Sequence, residues 1–141
     1  MTRPHHAFSS RPFADSLKNM QLLGKLFGLI TGPDVPQITP EELKNRLSQK
    51  NKPMVVDMRS AAEYKAGHIS GAIHIAAHEI PQQVNKLPKD KDIVFQCWHG
   101  NTSRQAIATL LNKGYSQERL SSLQGGMSGW TSAFGQKGLT K

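Results

Sequence analysis

The sequence predicts an α/β fold, with a mainly parallel sheet covered by helices on both faces. Three observations lead there. Short apolar runs recur at Met54-Val55-Val56-Asp57-Met58, Ala72-Ile73-His74-Ile75, Ile93-Val94-Phe95-Gln96 and over residues 120–124. Segments of helical periodicity separate them, and two of these open on capping boxes. Parallel strands lie under helices on both faces, so they read as unbroken apolar runs rather than as alternating ones.

The elements follow in order. Leu17, Met20, Leu23, Leu26, Phe27 and Ile30 recur at helical spacing and predict a helix over 14–30, ended by Gly32-Pro33. Its readings are a helix packed on the domain, a membrane-surface or partner helix, or, from Arg3, Arg11 and Ser9-Ser10, a mitochondrial presequence. Residues 1–36 are therefore set apart as an extension, and 37–141 as the domain. Thr39-Pro40-Glu41-Glu42 is a capping box with Pro at the first helical position, and Leu43 and Leu47 give that helix its apolar side. After the strand at 54–58, Ser60-Ala61-Ala62-Glu63 caps a short helix that stops near Gly67. Residues 72–75 form a strand and 78–87 a helix whose start is limited by Pro81. The strand at 93–96 leads to Cys97. Residues 103–113 form a helix with Ala106, Ile107, Leu110 and Leu111 on one face, closed by Gly114. A last strand at 120–124 turns at Gly125-Gly126 into a helix whose Trp130 and Phe134 belong to the core.

Composition narrows the function. A single cysteine excludes an intrachain disulfide and a dithiol redox motif, and it fits a reducing, cytoplasmic setting. No apolar run approaches the ~20 residues that cross a bilayer. The net charge of +8 is spread along the chain, with few aromatics and no basic tract. It reads as a solvated surface that favours anionic substrates, not as a nucleic-acid site. His5-His6 and the pair His74 and His78 do not make a metal site, the latter because a strand end separates them. No metal and no cofactor are expected.

The chemistry centres on Cys97, in Gln96-Cys97-Trp98-His99-Gly100-Asn101-Thr102-Ser103-Arg104. The apolar run stops at the sulfur, polar and small residues follow, and a helix begins. Ligands of open α/β sheets bind at this end of the strands. Loop and helix-start N–H groups aimed at the sulfur favour its anion. A buried structural cysteine is the alternative, but Trp, His, Gly, Asn, Thr and Ser make a poor core. Three chemistries compete. A sulfur carrier needs a thiolate, a cradle of N–H groups and an open mouth, but no base. Gly100 allows close backbone approach, Asn101 tolerates positive φ, and the Thr102 and Ser103 hydroxyls are placed to cap the helix or bond a persulfide. A cysteine phosphatase needs a Cys-x5-Arg loop, yet Ser103 holds the arginine position and Arg104 comes one residue late. A Cys–His hydrolase would draw on His99 in the same loop or on the more distant His68, His74 or His78.

Val56-Asp57-Met58-Arg59, Glu63-Tyr64 and Gly67-His68-Ile69-Ser70-Gly71-Ala72-Ile73 resemble the amino-terminal signature of rhodanese domains. Leu123-Gln124-Gly125-Gly126-Met127-Ser128-Gly129-Trp130 resembles their carboxyl-terminal signature. Residues 97–103 between them resemble the active loop of the family's single-domain thiosulfate sulfurtransferases. The resemblance covers residues 38 to about 135. It implies a rhodanese-like fold with a five-stranded parallel sheet, and Cys97 as persulfide carrier, with Trp98, His99, Gly100, Asn101, Thr102 and Ser103 lining the substrate site. Many relatives carry Arg where Thr102 stands, and Trp98 is bulkier than the usual residue there.

Asp57 and Arg59 lie at a strand's carboxyl end on one side. They are expected to pair and fix the loops around the site, against the alternative of a minor exposed pair. Glu63 either completes the Ser60 cap or joins that pair. His68 reads as a turn residue bonded to backbone. Arg104 and nearby lysines attract anions without touching them. The expected activity is transfer of sulfane sulfur from thiosulfate or a related small donor to cyanide or a thiol, such as that of a thioredoxin-like protein. The alternative is a non-catalytic or protein-dependent rhodanese-like module. Nucleic acid is not an expected partner, and membrane contact rests on residues 14–30.

Overall fold

Side-chain alternation along two central strands sets the layers. In the computed structural model, which describes residues 35–141, β2 (Met54–Asp57) and β5 (Ile93–Gln96) lie side by side in parallel. Val56, Ile93 and Phe95 point to one face of the sheet, while Val55 and Val94 point to the other. Each face is then covered by the helices that the chain supplies at its crossovers. The helix expected over 14–30 lies outside the described residues.

The order of elements is β1 (Gln37–Ile38), α1 (Pro40–Leu47), β2, α2 (Ala61–Ala66), β3 (His68–Ile69), β4 (Ile73–His74), α3 (Ile80–Gln83), β5, α4 (Asn101–Asn112), β6 (Leu120–Leu123), α5 (Gly126–Phe134) and β7 (Leu139–Thr140). Five strands form one sheet in the order β1-β6-β5-β2-β4, and every pairing in it is parallel. This is the expected fold class. A separate two-stranded antiparallel ribbon joins β3 to β7.

One core layer packs Val56, Ile93, Phe95 and Leu120 against Ile80 of α3, Ala106, Ile107 and Leu110 of α4, and Tyr115. The opposite layer packs Val55, Val94 and Leu123 against Leu43 of α1 and Met127 and Trp130 of α5. Trp130 and Phe134 meet edge to face at 4.8 Å. Both capping boxes form: the Thr39 hydroxyl accepts from the Glu42 amide at 3.1 Å, and the Ser60 hydroxyl from the Glu63 amide at 3.2 Å.

Several boundaries differ from expectation. The helix expected from Ser103 starts at Asn101, because Gly100 takes φ +97 and turns the chain two residues sooner. The single helix expected over 78–87 is broken into 3-10 turns at Ala77–Glu79 and Val84–Lys86 around α3, where Pro81 sits at a helix-start position needing no N–H. The strand at 72–75 shrinks to β4. Strands β1, β3 and β7 were not expected, since two-residue strands are too short to carry a period. His68 lies in β3 rather than in a turn, although its Nδ1 does bond backbone, donating to the Tyr64 carbonyl at 2.8 Å. Among the described residues no helix is long and apolar enough to cross a membrane.

Candidate active site

The sheet delivers Cys97 immediately after β5, its middle strand, and the chain reverses within three residues. That reversal rests on Gly100, whose positive φ an L side chain rarely adopts. Cys97 is 6% exposed. Its Sγ accepts a hydrogen bond from the Gly100 N–H at 3.1 Å. The sulfur also lies 3.6 Å from the Ser103 hydroxyl.

Ser103 is fully buried in the first turn of α4, and its hydroxyl donates to the Gly100 carbonyl at 3.1 Å. Ser122, buried on β6, meets the same hydroxyl at 2.6 Å. With the thiol protonated, the S–H donates to Ser103 Oγ. When the proton is gone, the Ser103 hydroxyl can turn from the Gly100 carbonyl to donate to the sulfur, while Ser122 donates to Ser103. The trio thus supplies a second donor to a sulfur anion without a charged partner.

The start of α5 fixes the loop from the opposite sheet face. The Met127 N–H donates to the Cys97 carbonyl at 2.7 Å, and the Ser128 N–H to the Trp98 carbonyl at 3.1 Å. Gln96, fully buried, also donates its amide to the Cys97 carbonyl at 3.0 Å. This approach is possible because Gly126 has no side chain: a Cβ there would lie 2.4 Å from the Cys97 oxygen.

Asp57 and Arg59 form a buried ion pair, with Nη2 to Oδ2 at 2.8 Å and Nε to Oδ1 at 3.1 Å. The Arg59 backbone N–H caps the same carboxylate at 3.0 Å, and Nη2 reaches on to the Gly67 carbonyl at 2.7 Å. The pair therefore joins the end of β2 to the end of α2, and the exposed alternative does not apply. Burial of both charges makes loss of either partner costly.

Glu63 completes the Ser60 cap, with Oε1 accepting from the Ser60 amide at 3.0 Å. Its other oxygen, Oε2, accepts the Trp98 indole N–H. That bond, followed by the one from the Ser60 backbone, holds the Glu63 carboxyl below its ordinary pKa, and the Arg59 charge adds to the effect. Trp98 is 44% exposed, and its ring lies 5.3 Å from the Arg59 guanidinium carbon. The indole, Arg59, Glu63, Met127 and Thr131 line a cleft of about 170 Å³. Trp98 is thus engaged on the α2 side of the loop, whereas Sγ bonds Gly100 and Ser103.

His99, Asn101, Thr102 and Arg104 are exposed around the loop. Among the described residues, no histidine bonds the sulfur. His74 instead donates Nε2–H to the Arg59 carbonyl at 2.7 Å, and His68 stacks on Tyr64 at 3.8 Å. A larger cavity of about 390 Å³, lined by Lys44, Lys52, Val55 and Trp130, lies toward the amino end of β2, away from Cys97. Sequence reasoning missed Ser122 and the Glu63–Trp98 bond. A signal for Ser122 existed, since it shares the inward phase of Leu120 two residues earlier.

A parallel sheet of this order, with a cysteine loop at the carboxyl end of its middle strand, defines a rhodanese-type α/β domain. The rhodanese-like domain family matches residues 39–133, and the chain belongs to that family. It is 38% identical over 96 residues to a sulfurtransferase of Allochromatium vinosum, covering 68% of this chain and 88% of the relative. It is 36% identical over 98 residues to the thiosulfate sulfurtransferase GlpE of Pseudomonas paraeruginosa, covering 70% of this chain and 86% of that protein. The crystal structure of a rhodanese-like domain protein from Staphylococcus aureus superposes with a TM-score of 0.66 at 29% identity, covering 75% of this chain and 97% of that one.

Proposed function

We propose that this chain is a sulfurtransferase that carries sulfane sulfur as a persulfide on Cys97. The observation that carries the reading is the Gly100 N–H on the sulfur at the mouth of the middle strand. The relatives' names, sulfurtransferase and thiosulfate sulfurtransferase, support the same chemistry. Thiosulfate is the donor proposed, and cyanide or a thiol the acceptor.

The Cys97 thiolate attacks the outer sulfur of thiosulfate. The new S–S bond forms as the donor's S–S bond breaks, and sulfite leaves with the bonding electron pair. The terminal persulfide sulfur carries the negative charge, and backbone and hydroxyl donors of residues 100–103 stabilise it. Cyanide then attacks that terminal sulfur, thiocyanate leaves, and the Cys97 thiolate is restored. No general base is required, in keeping with the absence of a histidine on the sulfur among the described residues. Asp57 and Arg59 support the loops, and His99, Asn101 and Thr102 edge the mouth. A reducing cytoplasm keeps the thiol available.

The arrangement suits a small sulfur-centred anion better than a phosphate ester, because the position that would clamp phosphate bidentately is Ser103. The test is turnover of thiosulfate with cyanide, read as thiocyanate, beside hydrolysis of an aryl phosphate. Sulfur transfer that disappears in Cys97→Ser, with no phosphatase activity, is the expected result. Cys97-dependent phosphatase turnover would overturn it, and a folded chain with no turnover would favour a protein-dependent or non-catalytic module.

A further inference from the structure

One contact of the loop has no part in the sulfur chemistry. Trp98 directly follows the nucleophile, is partly exposed, and yet is bonded through its indole N–H to Glu63 of α2. An exposed indole N–H is satisfied by water, so the bond is not needed to avoid an orphaned donor. What it supplies is orientation. The Glu63 carboxylate is itself held, since its Oε1 accepts from the Ser60 amide at 3.0 Å and the Ser60 hydroxyl at 2.9 Å. The Trp98 carbonyl is held too, by the Ser128 N–H at 3.1 Å. The residue is thus pinned at both ends, to α2 by its side chain and to α5 by its backbone, and the guanidinium of the buried Arg59 flanks the ring at 5.3 Å.

We propose that Glu63 is a positioning residue that tethers the Trp98 indole on the α2 side of the loop and so keeps the approach to the Cys97 sulfur open to a small anionic donor. The proposal rests on the sulfur-transfer reading. Cut loose, a bulky ring one residue from the nucleophile is free to swing across the loop mouth. Only His99 separates Trp98 from Gly100, whose N–H bonds the sulfur, so slack at residue 98 also reaches the cradle. The two effects fall on donor capture before they fall on chemistry.

The test uses the full chain with thiosulfate and cyanide, in the wild type, Glu63→Gln, Glu63→Ala, Trp98→Phe and the double variant Glu63→Ala/Trp98→Phe. Glu63→Ala and Trp98→Phe are each expected to raise the KM for thiosulfate about fivefold, the size of one partly exposed charge-assisted hydrogen bond, with kcat within about twofold. Glu63→Gln keeps one acceptor oxygen, which serves either the Ser60 amide or the indole but not both, and is expected to fall between the wild type and Glu63→Ala. The double variant is expected to be no worse than either single one, because both remove the same bond. Acrylamide quenching supplies a readout independent of turnover: of the two tryptophans, Trp130 is buried, so the quenchable ring is Trp98. Quenching rises in Glu63→Ala and rises less in Glu63→Gln.

A Glu63→Ala variant with a lowered melting temperature but unchanged KM and quenching would reduce Glu63 to a helix cap and overturn the proposal. Additive losses in the double variant would overturn it equally. If the wild type turns over no thiosulfate, the sulfur-transfer reading fails and the claim about donor access fails with it. Unchanged quenching in an otherwise active protein refutes the tether alone.

Discussion

Replacing Gly126 with alanine tests how the loop is held. The new Cβ would lie 2.4 Å from the Cys97 oxygen and 2.6 Å from the Trp98 carbonyl carbon and oxygen, closer than side-chain carbons approach backbone. These atoms are backbone on both sides, so no side chain can swing away, and the start of α5 must back off the loop. Two hydrogen bonds stretch as it does, Met127 N–H to Cys97 and Ser128 N–H to Trp98. At about 1 kcal/mol each they amount to ~2 kcal/mol. Gly126 also sits at φ +58, where a Cβ adds ~1 kcal/mol or more. The sum, ~3 kcal/mol, is a large share of the ~5–15 kcal/mol that stabilises a domain. It corresponds to a melting temperature lower by about 15 °C. The control is Gly71→Ala. Gly71 has φ +83 but nothing within 4 Å of its Cβ position, so strain alone acts there, at ~1 kcal/mol and about 5 °C. Thermal melts of both variants, with the thiosulfate assay run on each, decide the matter. A Gly126→Ala protein that melts no lower than Gly71→Ala and keeps wild-type turnover would refute the claim that the α5 start holds the loop.

Three further outcomes follow from the same structure. Arg59→Met leaves the fully buried Asp57 carboxylate without its partner, and urea unfolding is expected to show a loss of about 3–5 kcal/mol. Glu63 has a folded pKa below its ordinary 4.5, so the stability it contributes is complete above that pH and is lost as pH falls below it; melting temperatures on the acid side are expected to fall less steeply in Glu63→Gln than in the wild type. A chain starting at Val35 is expected to fold and transfer sulfur with at most a modest drop in melting temperature, because every site residue lies beyond it; Val35 packs on the core and the Pro36 carbonyl accepts from the Ser122 amide, so a later start is expected to cost more. A shortened chain that folds but is inactive would show that the removed residues shape the site.

What could be read in advance was what is local. A capping box needs only residues three apart, and both boxes formed as spelled out by Thr39-Glu42 and Ser60-Glu63. The run Ile93–Gln96 gave the middle strand with its correct bounds, because parallel strands leave little room for polar residues. The Asp57–Arg59 pair was legible because opposite charges two residues apart at the end of a strand lie within reach of each other. Contacts made across the sequence were not legible. Nothing near Glu63 indicates that its second oxygen meets Trp98, 35 residues on. The start of α4 moved because the backbone of Gly100, not a side-chain pattern, ends the loop. Gly100 reads in the sequence as allowing close backbone approach; a Cβ there meets ordinary contacts, at 3.6 Å from Leu123 oxygen and 3.7 Å from Gly125 nitrogen, so an alanine at that φ of +97 brings strain rather than a clash. Among the described glycines, Gly126 is the most crowded, at 2.4 Å from the Cys97 oxygen.

The proposed sulfur transfer turns on one sulfur atom on one side chain. The most direct measurement is the intact mass of the full chain after incubation with thiosulfate, then after cyanide or dithiothreitol, with Cys97→Ser in parallel. The swap is nearly isosteric and leaves the fold in place. The expected result is a gain of one sulfur atom in the wild type, its removal by either acceptor, and no gain in Cys97→Ser. A wild-type mass unchanged by saturating thiosulfate, or an adduct that persists without the Cys97 thiol, would contradict the account.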